Sequence, residues 1–424
     1  MNIIIHPCRF DLMAKYLYIK YKDKDIKSDF YKELYHKHLI TFNGCYELPD
    51  STIPNCGITK SCIEDYLKAF DDLIDDIKKN GFNKQYPIPL GSNDIIINGA
   101  HRLMISYYYS ITPQFEKKNS CGCDVYNYIF FLKRHSKPCL DRLYTDTIAL
   151  EYIKHNASMR CMILYPVAYD KQKNIQLYNI IKQYGYIYYH KEVTLNSNGV
   201  NNLIKELYRE ENWIGGLFPG MGSKEKHRLC FANNPIIYIS ISMLDVSKCI
   251  ELKDKCRAIY GLGKHSLHMS DYISDTLRIS SALLNDNSIH FLNNGTNDIC
   301  LQTQYLLTDY FKEIKEKNDN KEDYCLTSSL IMEMYNLRQA KDIDYLHKDN
   351  KKLILNNTGI HDGKWETYYH IHKDEIIYNP HYHFYFNGFK FATLNVIKRM
   401  KEKRKECKDL LDIEIINNKL NLKI

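Results

Sequence analysis

Two aspartates, Asp342 and Asp344, have the spacing of carboxylates that can bind a metal ion together. They lie near the end of residues 326–346, where the pattern predicts a helical run followed by a strand. Side chains two positions apart share one face of a strand, so the two carboxylates repel each other unless a cation lies between them. Mg²⁺ is often held by one or two carboxylates together with substrate phosphates. The pair therefore predicts phosphoryl or nucleotidyl transfer.

A serine pair upstream, Ser328 and Ser329, opens the predicted helix, and twelve residues separate Ser329 from Asp342. This combination resembles the nucleotidyltransferase superfamily, in which a small Gly-Ser or Gly-Gly pair binds the triphosphate and an Asp-x-Asp follows at a similar distance. The resemblance implies that the serines position an NTP and that Mg²⁺ is the cofactor. Ser328 stands where the family has Gly. The alternative is an ordinary Asp-x-Asp at a solvated strand end.

The superfamily completes its metal site with a third carboxylate on a neighbouring strand. The alternating residues 368–386 are predicted to form that strand, with Asp374 as first choice and Glu375 or Glu366 as alternates. Two His-x-His pairs, at 370/372 and 381/383, could bind a transition metal, but solvated histidines or phosphate contacts are the expected reading. Basic residues crowd the final helix, where they either face solvent or neutralise a triphosphate: Lys398, Arg399, Lys401, Lys403, Arg404, Lys405 and Lys408.

The sequence Asn-Gly-Ala-His-Arg at residues 98–102 predicts an anion site near the N-terminus. It follows two short apolar runs, 87–90 and 95–97, predicted as a hairpin, and precedes a predicted helix, 103–110. A glycine turn before a helix directs unpaired N–H groups and the positive helix end to one point. Gly99 would form the turn, and His101 and Arg102 would add side-chain donors. The alternative is a plain turn whose side chains cap the helix.

Together with a predicted helix at 60–80, this order resembles the ParB/sulfiredoxin family over residues 1–115. The resemblance implies that the turn binds nucleotide phosphates. Some members are small-molecule kinases, including free-serine kinases, in which an acidic residue after the first strand acts as base; Asp11 follows the predicted strand 2–5, and Glu47 is the alternative. Other members bind or cleave DNA. We expect nucleic acid to be a less suitable partner here, because no helix-turn-helix or concentrated basic patch is visible.

Strands and helices alternate from residue 156 onward, with strands at 160–167, 186–194 and 235–241 and helices at 174–184, 200–208 and 246–260. Such paired units predict a ferredoxin-like sheet. The sequence Lys-His-Ser-Leu-His-Met-Ser-Asp at 264–271 resembles the phosphohistidine segment of nucleoside-diphosphate kinase. The resemblance implies that His268 carries phosphate and that Arg257 contacts it. Met269 replaces the family's Gly and Tyr165 its Lys, so we expect the fold without turnover through His268.

Length and composition set the outer limits of these expectations. A chain of 424 residues predicts two or three domains, and its net charge of +7 is compatible with phosphorylated substrates but too dilute to indicate nucleic acid. Fourteen irregularly spaced cysteines, with no signal-peptide pattern and no membrane-spanning run, predict a cytoplasmic protein with free thiols. The sequence is compatible with an oligomer.

We therefore predict a multidomain α/β and α+β protein with a ParB/sulfiredoxin-like kinase-type domain (1–115), a connector (116–155), a ferredoxin-like, nucleoside-diphosphate-kinase-like domain (156–300) and a nucleotidyltransferase-like domain (301–424). The predicted function is Mg²⁺-dependent phosphoryl or nucleotidyl transfer from an NTP, such as ATP or CTP, to a small hydroxylated or phosphorylated acceptor, for example a surface-glycan precursor. The alternative is a nucleotide-sensing or DNA-associated ParB-type binding protein. Neither the acceptor nor the base of the NTP follows from the sequence.

Overall fold

The computed structural model describes residues 5–46, 60–134, 139–214, 221–232 and 236–421. Most of the predicted first strand and the alternative base Glu47 lie outside these ranges. The chain divides into two compact units, Met1–His155 and Asn156–Ile424. Helices and three sheets occur in the described part, which confirms the mixed, multidomain class. We found no helix there with the length and apolar character that crossing a bilayer requires.

Helices dominate the first unit. Its elements are α1 (Asp11–Asp23), α2 (Phe30–Asn43), α3 (Ile63–Asn80), β1 (Ile88–Leu90), α4 (Ala100–Tyr108), β2 (Phe115–Lys117), α5 (Tyr128–Leu132) and α6 (Arg142–Lys154). As predicted, a helix covers most of 60–80, and α3 ends at Gly81, which has a positive φ of 77°. The helix predicted at 103–110 begins earlier, at Ala100 directly after Gly99, with φ 83°, so His101 and Arg102 lie in its first turn. Both glycines occupy the left-handed half of backbone space, which side chains disfavour.

The predicted hairpin at 87–97 is reduced to a single antiparallel bridge, because its second run does not form a full strand. β1 pairs in parallel with β2, while Ile96 forms only an isolated bridge to Leu90. Hydrogen bonds from the Gly91 N–H to the Ile95 carbonyl and from the Ile97 N–H to the Pro89 carbonyl flank this antiparallel bridge, and the Ile96 carbonyl accepts from the Arg9 guanidinium. The expected connector 116–155 also differs, because it contains α5 and α6. α6 packs on α1 through the buried ion pair of Lys20 with Glu151, at 3.2 Å.

The second unit begins with a four-stranded antiparallel sheet. Its elements are β3 (Met159–Leu164), α7 (Lys171–Tyr184), β4 (Gly185–Thr194), α8 (Ser197–Leu207), α9 (Met221–Cys230), β5 (Ile236–Leu244), α10 (Cys249–Tyr260), β6 (Leu267–Met269), α11 (Ile273–Leu283) and α12 (Asp286–Asn294). The strand order is β4-β5-β3-β6. The three predicted strands and the three predicted helices of this region are present, and a fourth strand, β6, completes a β-α-β-β-α-β order with α8 and α9 between β4 and β5. An apolar core lies between this sheet and the pair α7 and α10.

The second sheet of this unit is mixed, with the order β10-β11-β7-β8-β9. Its elements are α13 (Leu301–Glu316), β7 (Tyr324–Thr327), α14 (Ser329–Met334), β8 (Ile343–His347), β9 (Thr358–Ile360), α15 (Lys373–Tyr378), β10 (His383–Phe386), β11 (Phe389–Ala392), α16 (Leu394–Arg404) and α17 (Cys407–Asn421). β8 is antiparallel to β7 and parallel to β9. Phe291 of α12 stacks on Phe384 of β10, with ring centroids 4.5 Å apart, so α12 packs against this sheet.

Two expectations for the C-terminal region are corrected by the structure. Residues 368–386 do not form one strand, because His372 caps a helix by accepting a hydrogen bond from the Asp374 N–H; α15 follows, and the strand begins only at His383. The final basic helix is also two helices. Lys405 takes a left-handed conformation, with φ 58°, which ends α16 and turns the chain into α17.

Candidate functional site

Asp342 and Asp344 line the same cavity of about 440 Å³ in the second unit. Asp344 is on β8, flanked by Thr327 of β7 and Gly359 of β9, and Asp342 directly precedes the strand. A Cβ atom at position 359 would lie 2.6 Å from Asp344 Oδ1. Gly359 therefore leaves the space that the carboxylate occupies.

The cavity also contains the predicted serine pair and five cationic side chains. Its lining consists of Ser328, Ser329, Arg338, Lys341, Asp342, Asp344, Gly359, Ile360, His361, Trp365, Lys401, Arg404 and Lys408. Asp374, Glu375 and Glu366 are not among these residues. Asp374 is buried on α15, where it contacts His372 at 3.9 Å. The structure thus brings together the aspartate pair and the serines, but not the predicted third carboxylate.

Ser328 adopts a backbone conformation that normally requires glycine. Its φ of 65° and ψ of −142° lie in a region where a Cβ atom is strained. The side chain is almost fully buried and hydrogen-bonds to Asp344. Ser328 therefore places a serine hydroxyl beside the carboxylate from a backbone conformation that favours glycine. Strain of this kind tends to concentrate at functional sites.

The two aspartates differ electrostatically. Burial and the neighbouring charge of Asp344 raise the pKa of Asp342. Burial also raises the pKa of Asp344, but a hydrogen bond and charge from His361 and a hydrogen bond from Ser328 outweigh it, so that the pKa of Asp344 is lowered. Asp344 is thus a fixed anion. The ionised form of Asp342 is not stabilised by hydrogen bonds and charges to the same extent.

A buried chain of hydrogen bonds orients Asp344 and was missed by the sequence reasoning. His361 Nε2 lies 3.4 Å from Asp344 Oδ2, and His361 Nδ1 is 2.7 Å from the Tyr369 hydroxyl. That hydroxyl is 2.9 Å from Thr327 Oγ1. No local motif marks His361, since its position depends on the parallel pairing of β8 with β9. Its tautomer follows if the Tyr369 hydroxyl donates to Nδ1, because Nε2–H then points to Asp344.

Two buried acidic residues of α17 hold two cations of α16. Lys401 Nζ lies 3.3 Å from Asp409 and 2.7 Å from Asp412, and Arg404 donates to Asp409 at 2.6 Å. Burial raises the pKa of Asp409, but hydrogen bonds from Arg404 and the Glu406 N–H, with the Lys401 charge, bring it to about 2. Asp409 is therefore ionised at neutral pH and fixes these cations beside the cavity.

A second polar cavity, of about 510 Å³, lies within the first unit and contains the predicted turn. The lining residues are Arg9, Asp11, Lys15, His38, Leu39, Phe42, Asn43, Lys60, Tyr66, Leu73, Ile97, Asn98, Gly99, Ala100, His101, Arg102 and Tyr126. Burial lowers the pKa of His101 well below its ordinary value, and its Nε2 is 2.8 Å from the Tyr35 hydroxyl. Arg102 donates to the Tyr86 carbonyl. His101 is thus a neutral group, and Arg102 carries the charge of the turn.

Asp11 is the buried counter-ion of two cations in this cavity. Both of its oxygens accept from Arg9, at 2.8 and 2.9 Å, and Lys15 Nζ lies 3.0 Å away. Burial raises the pKa of Asp11, but the charges of Lys15 and Arg9 outweigh it and hold the pKa well below its usual range. A general base works best with a pKa near the operating pH. The geometry therefore fits a positioning role better than the predicted role of base.

His268 lies on β6 beside a cluster of tyrosines. Its Nδ1 is 3.3 Å from the Tyr208 hydroxyl, which is 3.1 Å from the Tyr165 hydroxyl. Burial lowers the pKa of His268 to about 3, so the ring is neutral at pH 7. Lys226 of α9 lies over both tyrosine rings, at 5.1 and 5.5 Å. Burial raises the pKa of Tyr208 to about 12, and the charge of Arg257 opposes this rise. The predicted residues His268 and Arg257 therefore both interact with Tyr208.

A divalent cation fits the Asp342 and Asp344 pair only if the substrate supplies further ligands. Within the described ranges, no group of three or more His, Cys, Asp or Glu side chains is arranged to hold a metal ion. Mg²⁺ does not need such a group, since it binds through one or two carboxylates and substrate phosphates. Burial and repulsion from Asp344 raise the pKa of Asp342, and a bound cation would relieve that repulsion.

Comparisons of the chain with protein-family models, with curated proteins and with solved structures each found no match. The chemistry of the two cavities is therefore the basis for assigning a function.

Proposed function

We propose that the second unit catalyses Mg²⁺-dependent nucleotidyl transfer from an NTP to a small hydroxylated or phosphorylated acceptor. The observation that carries the proposal is the carboxylate pair, Asp342 and Asp344, in a cavity that also presents five cationic side chains. Two carboxylates favour a hard divalent cation, and Lys and Arg side chains bind phosphates. A metal–triphosphate complex needs both features. The region 301–424 would then be a nucleotidyltransferase-like domain.

In this proposal the chain's own residues bind and orient the substrate. Asp342 and Asp344 would hold Mg²⁺, which shields phosphate charge and orients in-line attack when it is bound. His361 and Ser328 keep Asp344 ionised and fixed in place. Arg338, Lys341 and Lys408 would contact the phosphates. Arg404, which Asp409 holds in place, would contact them too, and the buried Lys401 would add positive charge beside them. Ser329 would position the triphosphate with Ser328.

For the first unit, we propose nucleotide-phosphate binding at the turn Asn98–Arg102, in a ParB/sulfiredoxin-like arrangement. The cavity there has Arg9, Lys15, Lys60 and Arg102 in its lining, with Asp11 as the one acidic residue among those lining it. Asp11 would hold Arg9 and Lys15 in position, so we replace its predicted role as base by this one. Phosphorylation of a hydroxylated acceptor would then require a base from another group or from the acceptor complex.

For the middle region, we infer a ferredoxin-like sheet that does not carry phosphate on His268. The β-α-β-β-α-β order and the strand order β4-β5-β3-β6 support the fold. Tyr165 stands where nucleoside-diphosphate kinases have a phosphate-binding Lys, and the His268 ring is held against Tyr208. Arg257 and Lys226 would then serve the packing of this tyrosine cluster.

The second candidate function is a nucleotide-sensing or DNA-associated ParB-type binding protein. One observation favours it: Asp11 is paired with Arg9 and Lys15, so the first cavity could bind an anion but has no evident catalytic base. Salt-dependent retention on DNA would support this candidate. Release of pyrophosphate from an NTP would support the transferase.

The decisive experiment incubates the full chain with each NTP in turn, Mg²⁺ and a pool of phosphorylated metabolites. We expect pyrophosphate and a new nucleotide conjugate by mass spectrometry with at least one NTP. The control is the double variant Asp342→Asn/Asp344→Asn, which should form neither product. Equal product from this variant and the wild type would refute the assignment of the site.

A further inference from the structure

The cavity of the second unit combines its charged residues with one partly exposed indole ring. Trp365 is 41% exposed, and of the described residues that line the cavity only Trp365 and His361 carry rings. The half-buried Ile360 adds an apolar surface nearby. Cations and carboxylates account for a metal–triphosphate, but they do not account for an aromatic and apolar patch in the same cavity.

Trp365 is held in a fixed position by its neighbours. Its ring stacks on the His361 imidazole with centroids 5.3 Å apart and an interplanar angle of 10°, and the Tyr368 ring packs against it in a T-shaped arrangement with centroids 5.9 Å apart. One face of the indole is therefore covered, and the exposed fraction indicates that a further surface is open. A rigid aromatic surface binds a flat partner with little loss of side-chain entropy.

The ring is also coupled to the carboxylates. His361 stacks on Trp365 and at the same time lies 3.4 Å from Asp344 Oδ2. A single side chain thus separates the indole from the proposed metal-binding oxygen. A ligand that bridges both must carry a polyanionic part and a flat aromatic part, which is the composition of a nucleoside triphosphate.

We propose that Trp365 is the stacking surface for the nucleobase of the NTP. The inference rests on the proposed nucleotidyl transfer at Asp342 and Asp344 and adds a specificity-determining residue to it. Base–aromatic stacking tolerates every base because each has a π-face. Trp365 would therefore distinguish nucleotides from base-free polyphosphates rather than one base from another.

The chain has two tryptophans, which makes a direct test practical. In the Trp213→Phe background, Trp365 is the sole tryptophan, and its fluorescence reports on this cavity alone. With Mg²⁺ present, we expect ATP or CTP to quench it and to bind about tenfold or more tightly than inorganic tripolyphosphate, the effect that one base stack typically has. Equal affinities for nucleotide and tripolyphosphate would overturn the proposal.

Calorimetry on variants separates stacking from a structural role. It is done in the Arg102→Ala background, which weakens nucleotide binding proposed for the first unit. Trp365→Leu should lose about tenfold in affinity for ATP or CTP while binding tripolyphosphate as before, and Trp365→Phe should keep most of the nucleotide affinity. Equal losses for both ligands would show that Trp365 acts by supporting the site, against the proposal. If neither ligand binds the wild type, the nucleotidyl-transfer function itself fails, which is a different result from loss of the base preference alone.

Discussion

Asp11 in the first unit and the pair Asp342 and Asp344 in the second all line polar cavities, but their charges are balanced in different ways. Asp11 has two cations within 3.0 Å, and its pKa is depressed. Asp342 has an anionic neighbour, and its pKa is raised. A carboxylate already matched by buried cations is a structural anion. One that is repelled by its neighbour retains charge that a metal ion can neutralise.

The cations differ in the same way. In the first unit, Arg9 and Lys15 are tied to the one acidic residue of the cavity lining. In the second unit, Lys401 and Arg404 are tied to Asp409, which does not line the cavity. The second cavity can therefore present cations and unsatisfied carboxylates together. Four changes test this contrast.

The largest effect is expected at the repelled pair. Asp342→Asn should lower NTP turnover with Mg²⁺ by roughly a thousandfold, since metal-mediated charge stabilisation contributes several kcal/mol. Without metal, the variant should melt at the wild-type temperature or higher at pH 7. The sign follows from the raised pKa of Asp342: its ionisation costs stability above the unfolded pKa of about 3.9. Normal melting with wild-type turnover would remove Asp342 from the site.

Asp11→Asn should act in the opposite direction on stability. It leaves Arg9 and Lys15 buried with one fewer counter-charge, which typically costs about 3–5 kcal/mol. Because the folded pKa of Asp11 is depressed, its contribution is complete above the unfolded pKa and is lost as pH falls through the folded one. Urea denaturation should thus give a constant difference from wild type between pH 7 and pH 5. A stable variant with reduced phosphoryl transfer would instead restore the role of base.

A smaller effect is expected at the glycine turn. Arg102→Ala should weaken nucleotide binding to the first unit by ~1.5–3 kcal/mol, the range for hydrogen bonds to charged groups. The affinity is measured by isothermal calorimetry in the Trp365→Leu background, which reduces nucleotide binding at the second cavity. Lys79→Ala, an exposed residue of α3 outside the cavity lining, is the matched control and should bind normally. Unchanged affinity in Arg102→Ala would remove the phosphate site.

The smallest effect concerns backbone strain at the serine pair. Ser328→Gly should stabilise the protein by about 1 kcal/mol, because glycine adopts a positive φ without the strain that a Cβ brings. Part of the gain is offset by the lost hydrogen bond to Asp344. Ser329→Gly, at the first position of α14, should instead be destabilising. Thermal melting measures both variants. Melting temperatures that shift in the same direction would contradict the assigned conformation of Ser328.

The sequence by itself determined the features that depend on local spacing. The two-residue spacing of Asp342 and Asp344 predicts that both carboxylates reach one site, and both line one cavity although Asp342 precedes the strand. The helical pattern of 60–80 predicts a helix, and α3 ends at Gly81. The alternation after residue 156 likewise predicted three strands and three helices that the structure contains, but not the short strand β6. These outcomes follow from 2.0- and 3.6-residue periodicities, which are properties of the local backbone.

Tertiary structure decided which groups surround those residues and how their charges are balanced. The alternation of residues 368–386 predicts that Asp374 lies on a strand, but the His372 cap begins a helix there, and Asp374 is absent from the cavity lining. His361 reaches Asp344 only through the pairing of β9 with β8. Asp11 became a structural anion because α1 places Lys15 one turn away and Arg9 folds back on it. A pKa depends on burial and on charges brought together by folding, and spacing along the chain contains neither.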